Sequence, residues 1–273
     1  MNSLCIPHVA FCTALMLIAE RQSRLQELLA RRGTCALDTL SAELNVSQST
    51  IRRDIEALEE RGFVKRTHGG VIWVGGEHES TGNLRPYAFD QRMSYEIDAK
   101  RRIARAARSL VQPGQTILID GGTTTFYLAQ ELIGLPLQLV TNSLPIANLF
   151  IDNENVELIL TGGLMYPRYG VLLGPMAEQI IGSIHTKTLF FSVAGIHEAM
   201  LYNQNLLLVQ AEQKMMHQAQ QVVVLVDSSK FGQQALAQLC PLSEMDVVVT
   251  DSRLPEEQRR QVRDAGCELI VAE

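Results

Sequence analysis

No CxxC pair occurs in this chain, and its five cysteines, at positions 5, 12, 35, 240 and 267, are odd in number and scattered. That excludes a disulfide framework and a zinc ribbon, and it fits a reducing cytosol, where we expect the protein to work. The six histidines show no HxH or HxxxH spacing, so neither a metal nor another cofactor is expected. Positive charge is not in surplus: the formal net charge is −6. This argues against a nucleic-acid coat protein but not against a DNA reader, whose binding follows local charge. Long hydrophobic runs are missing too. His8–Ala19 is too short to span a bilayer, and no Lys or Arg precedes it as a secretory signal would require, so no membrane partner is expected. "MLIAERQSRLQELLARRG" from Met16 reads as a natural protein start, and the expectation is that translation begins there. Neither a Walker A loop nor GxGxxG is present, and no repeat or low-complexity tract interrupts the chain.

What is present divides in two. The 273 residues suffice for one small and one medium domain. Near the N-terminus, Leu25, Leu28 and Leu29 lie at helical spacing before Gly33, and Leu37, Leu40 and Leu44 form a second helical face. Ser47 is a good N-cap for a third helix reaching about Arg61, with Ile51, Ile55 and Leu58 on its apolar stripe. Ser49, Arg53 and Glu56 point away from that stripe, with Arg52 at its flank. Guanidinium groups placed so can reach guanine edges or phosphates in a major groove. Gln48, Ser49 and Thr50 sit in the first turn, where free backbone N–H groups can meet a phosphate. "FVKRTHGGVIWV" then reads as a hairpin, with Lys65, Arg66 and His68 near the DNA backbone. Three helices and a two-stranded hairpin over 16–75 make a winged helix-turn-helix. Residues 76–93 read as a linker of Gly, Pro and polar residues.

From 94 to 273 the pattern changes to helices alternating with continuous apolar runs. The seven strands expected are Thr116–Asp120, Leu137–Thr141, Val156–Thr161, Thr188–Gly195, Gln221–Asp227, Met245–Asp251 and Cys267–Ala272. Runs of this kind are buried on both faces, as in a parallel sheet covered by helices. Sites in such sheets lie at the strand ends. Asp120 is followed by Gly121, Gly122, Thr123, Thr124 and Thr125, opening a helix whose amides and hydroxyls suit an oxyanion. Thr141 and Asn142, Gly162 and Gly163, and Lys230 stand at three further strand ends. The competing reading is that these are tight turns made for packing alone.

The motifs "VSQSTIRRDIEALEERGFVKRTHGG", "QRMSYEIDAKRRIA", "ILIDGGTTTFYLAQEL", "VTNSLPIA", "LTGG" and "VLVDSSKFG" occur in the order found in DeoR/GlpR-type transcriptional regulators, which the chain resembles from about Met16 onward. The resemblance implies an α/β protein. Its parts are an N-terminal winged helix and a C-terminal sensor domain similar to ribose-5-phosphate isomerase and CoA-transferase folds. It further implies a repressor of carbohydrate or nucleoside catabolism genes that binds operator DNA and responds to a phosphorylated sugar or related effector. Carried over by motif, the sensor residues are Asp120, Gly122, Thr123, Thr124, Thr141, Asn142, Gly162, Gly163 and Lys230. Two departures bear on the effector. Ala194-Gly195-Ile196 stands where the family often has Asp-Gly-Ile, and Leu208 and Glu212 stand where a Thr, and a Glu followed by a basic residue, are usual. Asn203, Gln204 and Asn205 are candidates for replacement contacts.

Two other functions compete. One is an isomerase-like enzyme, which needs a positioned carboxylate base; Ala194 removes one candidate. The other is a protein-interaction module, against which Arg52, Arg53, Lys65 and Arg66 all fall on groove-facing elements. The expectation is a non-enzymatic regulator, assembled as a homodimer or homotetramer through its C-terminal domain because two half-sites multiply affinity.

Overall fold

The computed structural model describes residues 21–73, apart from 23, 27, 30, 31, 45, 61, 62, 68 and 69, and residues 89–273. The apolar run and the start at Met16, the proposed contact His68, and the linker up to residue 88 lie outside the described residues. The chain forms two compact units, 1–84 and 85–273.

In the first unit, helical residues between 21 and 32 (α1) are followed by β1 (Thr34–Ala36), α2 (Leu37–Glu43), α3 (Gln48–Glu60), β2 (Val64–Thr67) and β3 (Gly70–Trp73). The apolar stripes meet as their spacing demands: Leu25 and Leu29 of α1, Leu40 of α2, and Ile51, Ile55 and Leu58 of α3 share one core with Phe63, Val64 and Val71. β1 was not expected. It pairs antiparallel with β3 and extends the wing to three strands, in the order β1-β3-β2. Gly70 stands where the two strands touch, since a Cβ there would lie 2.5 Å from the Cys35 carbonyl oxygen. A buried charge also escaped the pattern: Asp54 of α3 accepts from Arg21 Nε at 2.6 Å and from Gln22 Nε2 at 3.1 Å, tying α3 to α1.

The second unit begins with α4 (Phe89–Met93), so the last residues of the segment read as linker are helical. α4 forms there because Phe89 is buried and packs edge-on against Phe126, with the rings 5.8 Å apart. Then follow α5 (Ile97–Arg108), β4 (Thr116–Ile119), α6 (Thr123–Glu131), β5 (Leu137–Thr141), α7 (Leu144–Phe150), β6 (Val156–Leu160), β7 (Leu164–Tyr166), β8 (Val171–Leu173) and α8 (Pro175–Ile181). The remainder is β9 (Thr186–Phe191), β10 (Gly195–His197), β11 (Met200–Asn203), α9 (Leu206–Met216), β12 (Ala219–Leu225), β13 (Ala237–Pro241), β14 (Val247–Asp251), α10 (Glu256–Asp264) and β15 (Glu268–Ala272).

All seven expected strands join one parallel sheet, in the order β15-β14-β12-β9-β4-β5-β6. Alternate residues feed opposite faces. Ile117, Ile119, Phe190, Val223 and Leu225 pack with α5, α6 and α7, whereas Leu118, Leu189, Phe191, Val222 and Val224 pack with α8, α9 and α10. That two-sided burial is why each strand reads as an unbroken apolar run. The run expected to reach Gly195 breaks after Phe191: β10 leaves the sheet and pairs with β11, which pairs with β13, in a small antiparallel sheet. The chain moves from β4 outward to β5 and β6, then returns to β9 on the other side. The strand order thus reverses between β4 and β9, the place where open α/β sheets leave a crevice beyond the strand ends.

Candidate functional site

On the first unit, Ser47, Gln48, Ser49, Arg52 and Arg53 are exposed, as are Lys65 and Arg66 on β2. Ser47 caps α3, its Oγ accepting from the Thr50 N–H at 3.2 Å and sharing hydrogen bonds of 2.8 Å with the hydroxyls of Ser49 and Thr50. The Gln48 amide donates to Asp38 of α2. Arg66 is not a free cation of the wing. Its side chain bonds Glu56, at 3.0 Å, and Glu59, and so fastens the wing to α3. Arg52, Arg53 and Lys65 make no hydrogen bond or ion pair among the described residues.

On the second unit, parallel strands bring Asp120, Thr141, Gly162 and Lys230 to one edge of the sheet. They play different parts there. Thr125 donates to the Asp120 carbonyl at 2.7 Å and accepts from the Gly122 N–H at 2.8 Å, which closes the turn into α6. Thr141 donates to the Ile119 carbonyl at 2.6 Å and accepts from Ser143 N–H at 3.1 Å. Gly121 and Gly122 are packed so tightly that a Cβ would come within 2.0 Å of Val171 Cγ1 and of Ser192 Oγ respectively. These four residues have structural work of their own. Thr123 and Thr124 are buried in the first turn of α6. Gly162 and Gly163, in left-handed backbone at φ +68° and +115°, follow edge strand β6, about 10 Å from β4 by the spacing of neighbouring strands.

Around Asp120 lies a buried polar cluster whose groups are not paired off. Asp120 Oδ1, both side-chain polar atoms of Asn142, Glu212 Oε2, and Nε and Nη2 of Arg92 are closed to solvent without a hydrogen-bond partner. Burial pushes the Asp120 carboxyl up from its ordinary range; the Gly121 N–H, the nearby Asn142 amide and the Arg92 charge oppose that. Burial, joined by the Asp120 charge, holds Glu212 well above the usual carboxylate range, although Asn203 Nδ2 donates to its Oε1 at 2.6 Å. Burial likewise lowers Arg92. Lys100 is pushed down to about 7, chiefly by burial, with the Lys230 and Arg92 charges adding and Asp227 and Glu96 opposing. Its Nζ donates to the Arg92 carbonyl at 2.6 Å.

Arg92, Lys100 and Glu212 were not among the strand-end candidates, because they enter from helices α4, α5 and α9. Two of them carry a legible signal. Lys100 lies three residues from Ile97 and from Ile103, on the buried stripe of α5. Glu212 lies between Leu208 and Met215 on that of α9. Of the replacement contacts suggested by sequence, Asn203 reaches Glu212, Gln204 accepts from the Tyr169 hydroxyl at 3.1 Å, and Asn205 caps α9. Ala194 leaves no acid on the β9–β10 loop; Asp120 and Glu212 supply the acids of the cluster. No group of His, Cys, Asp or Glu among the described residues is placed to hold a metal ion, and none of their helices is long and apolar enough to cross a membrane.

A winged helix with free arginines on its third helix, on one chain with an α/β unit holding unpaired polar groups at its switch point, is the make-up of a ligand-responsive transcriptional regulator. The comparisons agree. The model of the DeoR-like helix-turn-helix domain matches residues 21–75, and that of the DeoR C terminal sensor domain matches 95–252. The chain belongs to the DeoR family. It is 33% identical over 253 residues to the HTH-type transcriptional regulator UlaR of Shigella dysenteriae serotype 1, covering 92% of this chain and 98% of that one. It is 32% identical to the HTH-type transcriptional regulator GolR of Listeria innocua, covering 93% and 98%. Among solved structures, ribose 5-phosphate isomerase A from Methanocaldococcus jannaschii aligns with 50% of this chain and 54% of its own, at 21% identity and a TM-score of 0.37. eIF2B delta from Chaetomium thermophilum aligns with 56% of each chain, at 13% identity and a TM-score of 0.42.

Proposed function

We propose that this regulator is a cytoplasmic, non-enzymatic repressor of carbohydrate or nucleoside catabolism genes, released from its operator by a phosphorylated small metabolite. The DNA contacts in this reading are Ser47, Gln48, Ser49, Thr50, Arg52, Arg53, Lys65, Arg66 and His68. The effector is held by the strand-end residues from Asp120 to Thr125, with Thr141, Asn142, Gly162, Gly163 and Lys230, and by Glu212 from α9.

The observation that carries the reading is the unpaired cluster. A buried polar atom without a partner costs about 1–3 kcal/mol, and Asp120, Asn142 and Glu212 collect several such atoms at one switch point. A ligand with hydroxyls and an anionic group supplies the missing partners. The first turn of α6, at the positive end of the helix, suits the phosphate. Thermal-shift screening of sugar phosphates, followed by operator binding with each hit, tests this. A bound compound that leaves operator affinity unchanged overturns it.

Assembly into a dimer or tetramer has its own support. Leu164 and Met165 of β7, Met176 and Ile180 of α8, and Leu206 and Leu207 of α9 are exposed, and α8 and α9 pack on each other and on β8. Exposed apolar surface of this kind marks an interaction site. Sedimentation of the wild type and of the Leu164→Lys, Met176→Lys double variant reads it: the variant is expected to run as a smaller species.

A further inference from the structure

Arg92 reaches the cluster from α4, the first described element after the segment 74–88 that joins the two units in sequence. Its guanidinium lies 4.9 Å from the Tyr169 ring and 5.9 Å from that of Phe89, so its faces are occupied. Its Nε and Nη2 are shut off from solvent and unpaired. A stacked guanidinium with two free N–H donors suits a bidentate oxyanion. The neighbouring acids do not fill that role: Asp120 Oδ1 and Glu212 Oε2 are themselves unpaired. A single ligand that carries an oxyanion for Arg92 and hydroxyls for those two oxygens completes all of them.

α4 itself is short. It has five residues, too few to persist as an isolated helix. Among the described residues its ties are the Phe89 N–H to the Arg168 carbonyl at 3.0 Å, Phe89 against Phe126, Met93 against the apolar core shared by α5 and α6, and Lys100 Nζ to the Arg92 carbonyl at 2.6 Å. Each tie runs to an element that borders the cluster. We infer that Arg92 joins the first turn of α6 in receiving the anionic group of the ligand, and that α4 is drawn onto the site when the anion is bound. Occupancy is thereby registered by the element adjoining, in sequence, the segment that leads to the DNA-binding unit. This rests on the effector reading above and adds to it a contact and a moving part.

The test uses the full chain with inorganic phosphate against chloride at equal ionic strength, read by hydrogen exchange of peptides covering 89–93 and by thermal melting. In the wild type, phosphate slows exchange in 89–93 and raises Tm. Arg92→Gln loses both effects, with phosphate affinity falling at least tenfold. Arg92→Lys keeps the cation and retains the protection at weaker affinity, which separates lost charge from lost folding. The inference is overturned if Arg92→Gln is protected as the wild type is, if phosphate protects 121–125 but not 89–93, or if phosphate has no effect on either measure. Protection of 89–93 in a wild type whose operator affinity no sugar phosphate alters supports the anion site and refutes the effector role.

Discussion

The two units treat unpaired charge in opposite ways. Arg52 and Arg53 stand in water on α3 without a partner among the described residues, and an exposed cation costs nothing to leave free. In the second unit the free groups are buried: Asp120 is 3% exposed, Asn142 0% and Glu212 1%. Charges removed from water are expensive unless paired. The contrast separates two kinds of recognition. A polyanion as large as DNA is met by a surface already solvated, and affinity comes with counterion release. A small ligand is met by groups that have already lost their water and regain partners only when it binds. The first unit does contain a buried charge, Asp54, but Arg21 and Gln22 satisfy it. Its role is to hold α3 in place.

The largest expected effect breaks the exposed side of this comparison. Arg52 and Arg53 replaced together by alanine should weaken operator binding by about 2–6 kcal/mol, at roughly 1–3 kcal/mol per base or phosphate contact, with the fold untouched. Fluorescence anisotropy on the gene's own upstream region, with a melting curve as control, checks this. Lys65→Ala should weaken all sequences alike and lower the salt slope by about one. Arg66→Ala should do less to the slope, because Glu56 and Glu59 already neutralise that side chain.

The next effect comes from burial. Lys100 titrates at about 7 in the folded chain and near 10.4 when unfolded. Between those values the unfolded state binds more protons, so this group's contribution to stability rises with pH from about 7 to about 10. Below 7 the cost of holding the charged lysine is fully present. An anion favours the charged form, so its affinity should run the other way and fall up to tenfold per pH unit above about 7. The groups facing Lys100 are Asp227 and Lys230 beyond β12, Arg92 of α4 and Glu96 before α5. Sulfate, which does not titrate here, is the probe. Lys100→Met should flatten the profile, and a profile that stays steep would assign the titration to another group.

The sheet was legible because each strand is buried on both faces and therefore carries a continuous run that no helix or loop imitates. The elements that escaped have no such signature. β1 is three residues long, and β10, β11 and β13 form a small sheet with mixed burial. α4 is one turn hidden at the end of a polar segment. The site divides likewise. Its strand-end half could be read, since glycines and hydroxyls after apolar runs are conspicuous. Its helical half is spread over α4, α5 and α9, and only folding brings it to Asp120. Lys100 and Glu212 interrupt apolar stripes, a sign open to inspection. Arg92 stands in one of the family motifs, but an arginine at the end of a polar segment gives no sign of its burial. The sequence also could not say which of the glycines and threonines are spent on the turn itself.

That last distinction supplies the smallest effects, within three adjacent hydroxyls. Thr125 satisfies the buried Gly122 N–H and returns a bond to Asp120. Thr125→Val keeps the shape but removes two buried hydrogen bonds, those to the Gly122 N–H and the Asp120 carbonyl, each worth about 0.5–1.5 kcal/mol, so it should lower stability by about 1–3 kcal/mol and lower Tm. Thr123 is also buried, yet its hydroxyl makes no hydrogen bond among the described residues, so the fold has little use for it. Thr123→Val should therefore leave melting and ligand-free operator binding unchanged, while weakening the effector by about 0.5–1.5 kcal/mol, the net worth of one hydrogen bond. Calorimetry with a screened sugar phosphate and a melting curve on each variant give the two readings. If Thr123→Val lowers Tm as much as Thr125→Val and leaves the effector's affinity alone, the first turn of α6 is a packed turn throughout, and the ligand contacts lie with Asp120, Asn142 and the groups from the helices.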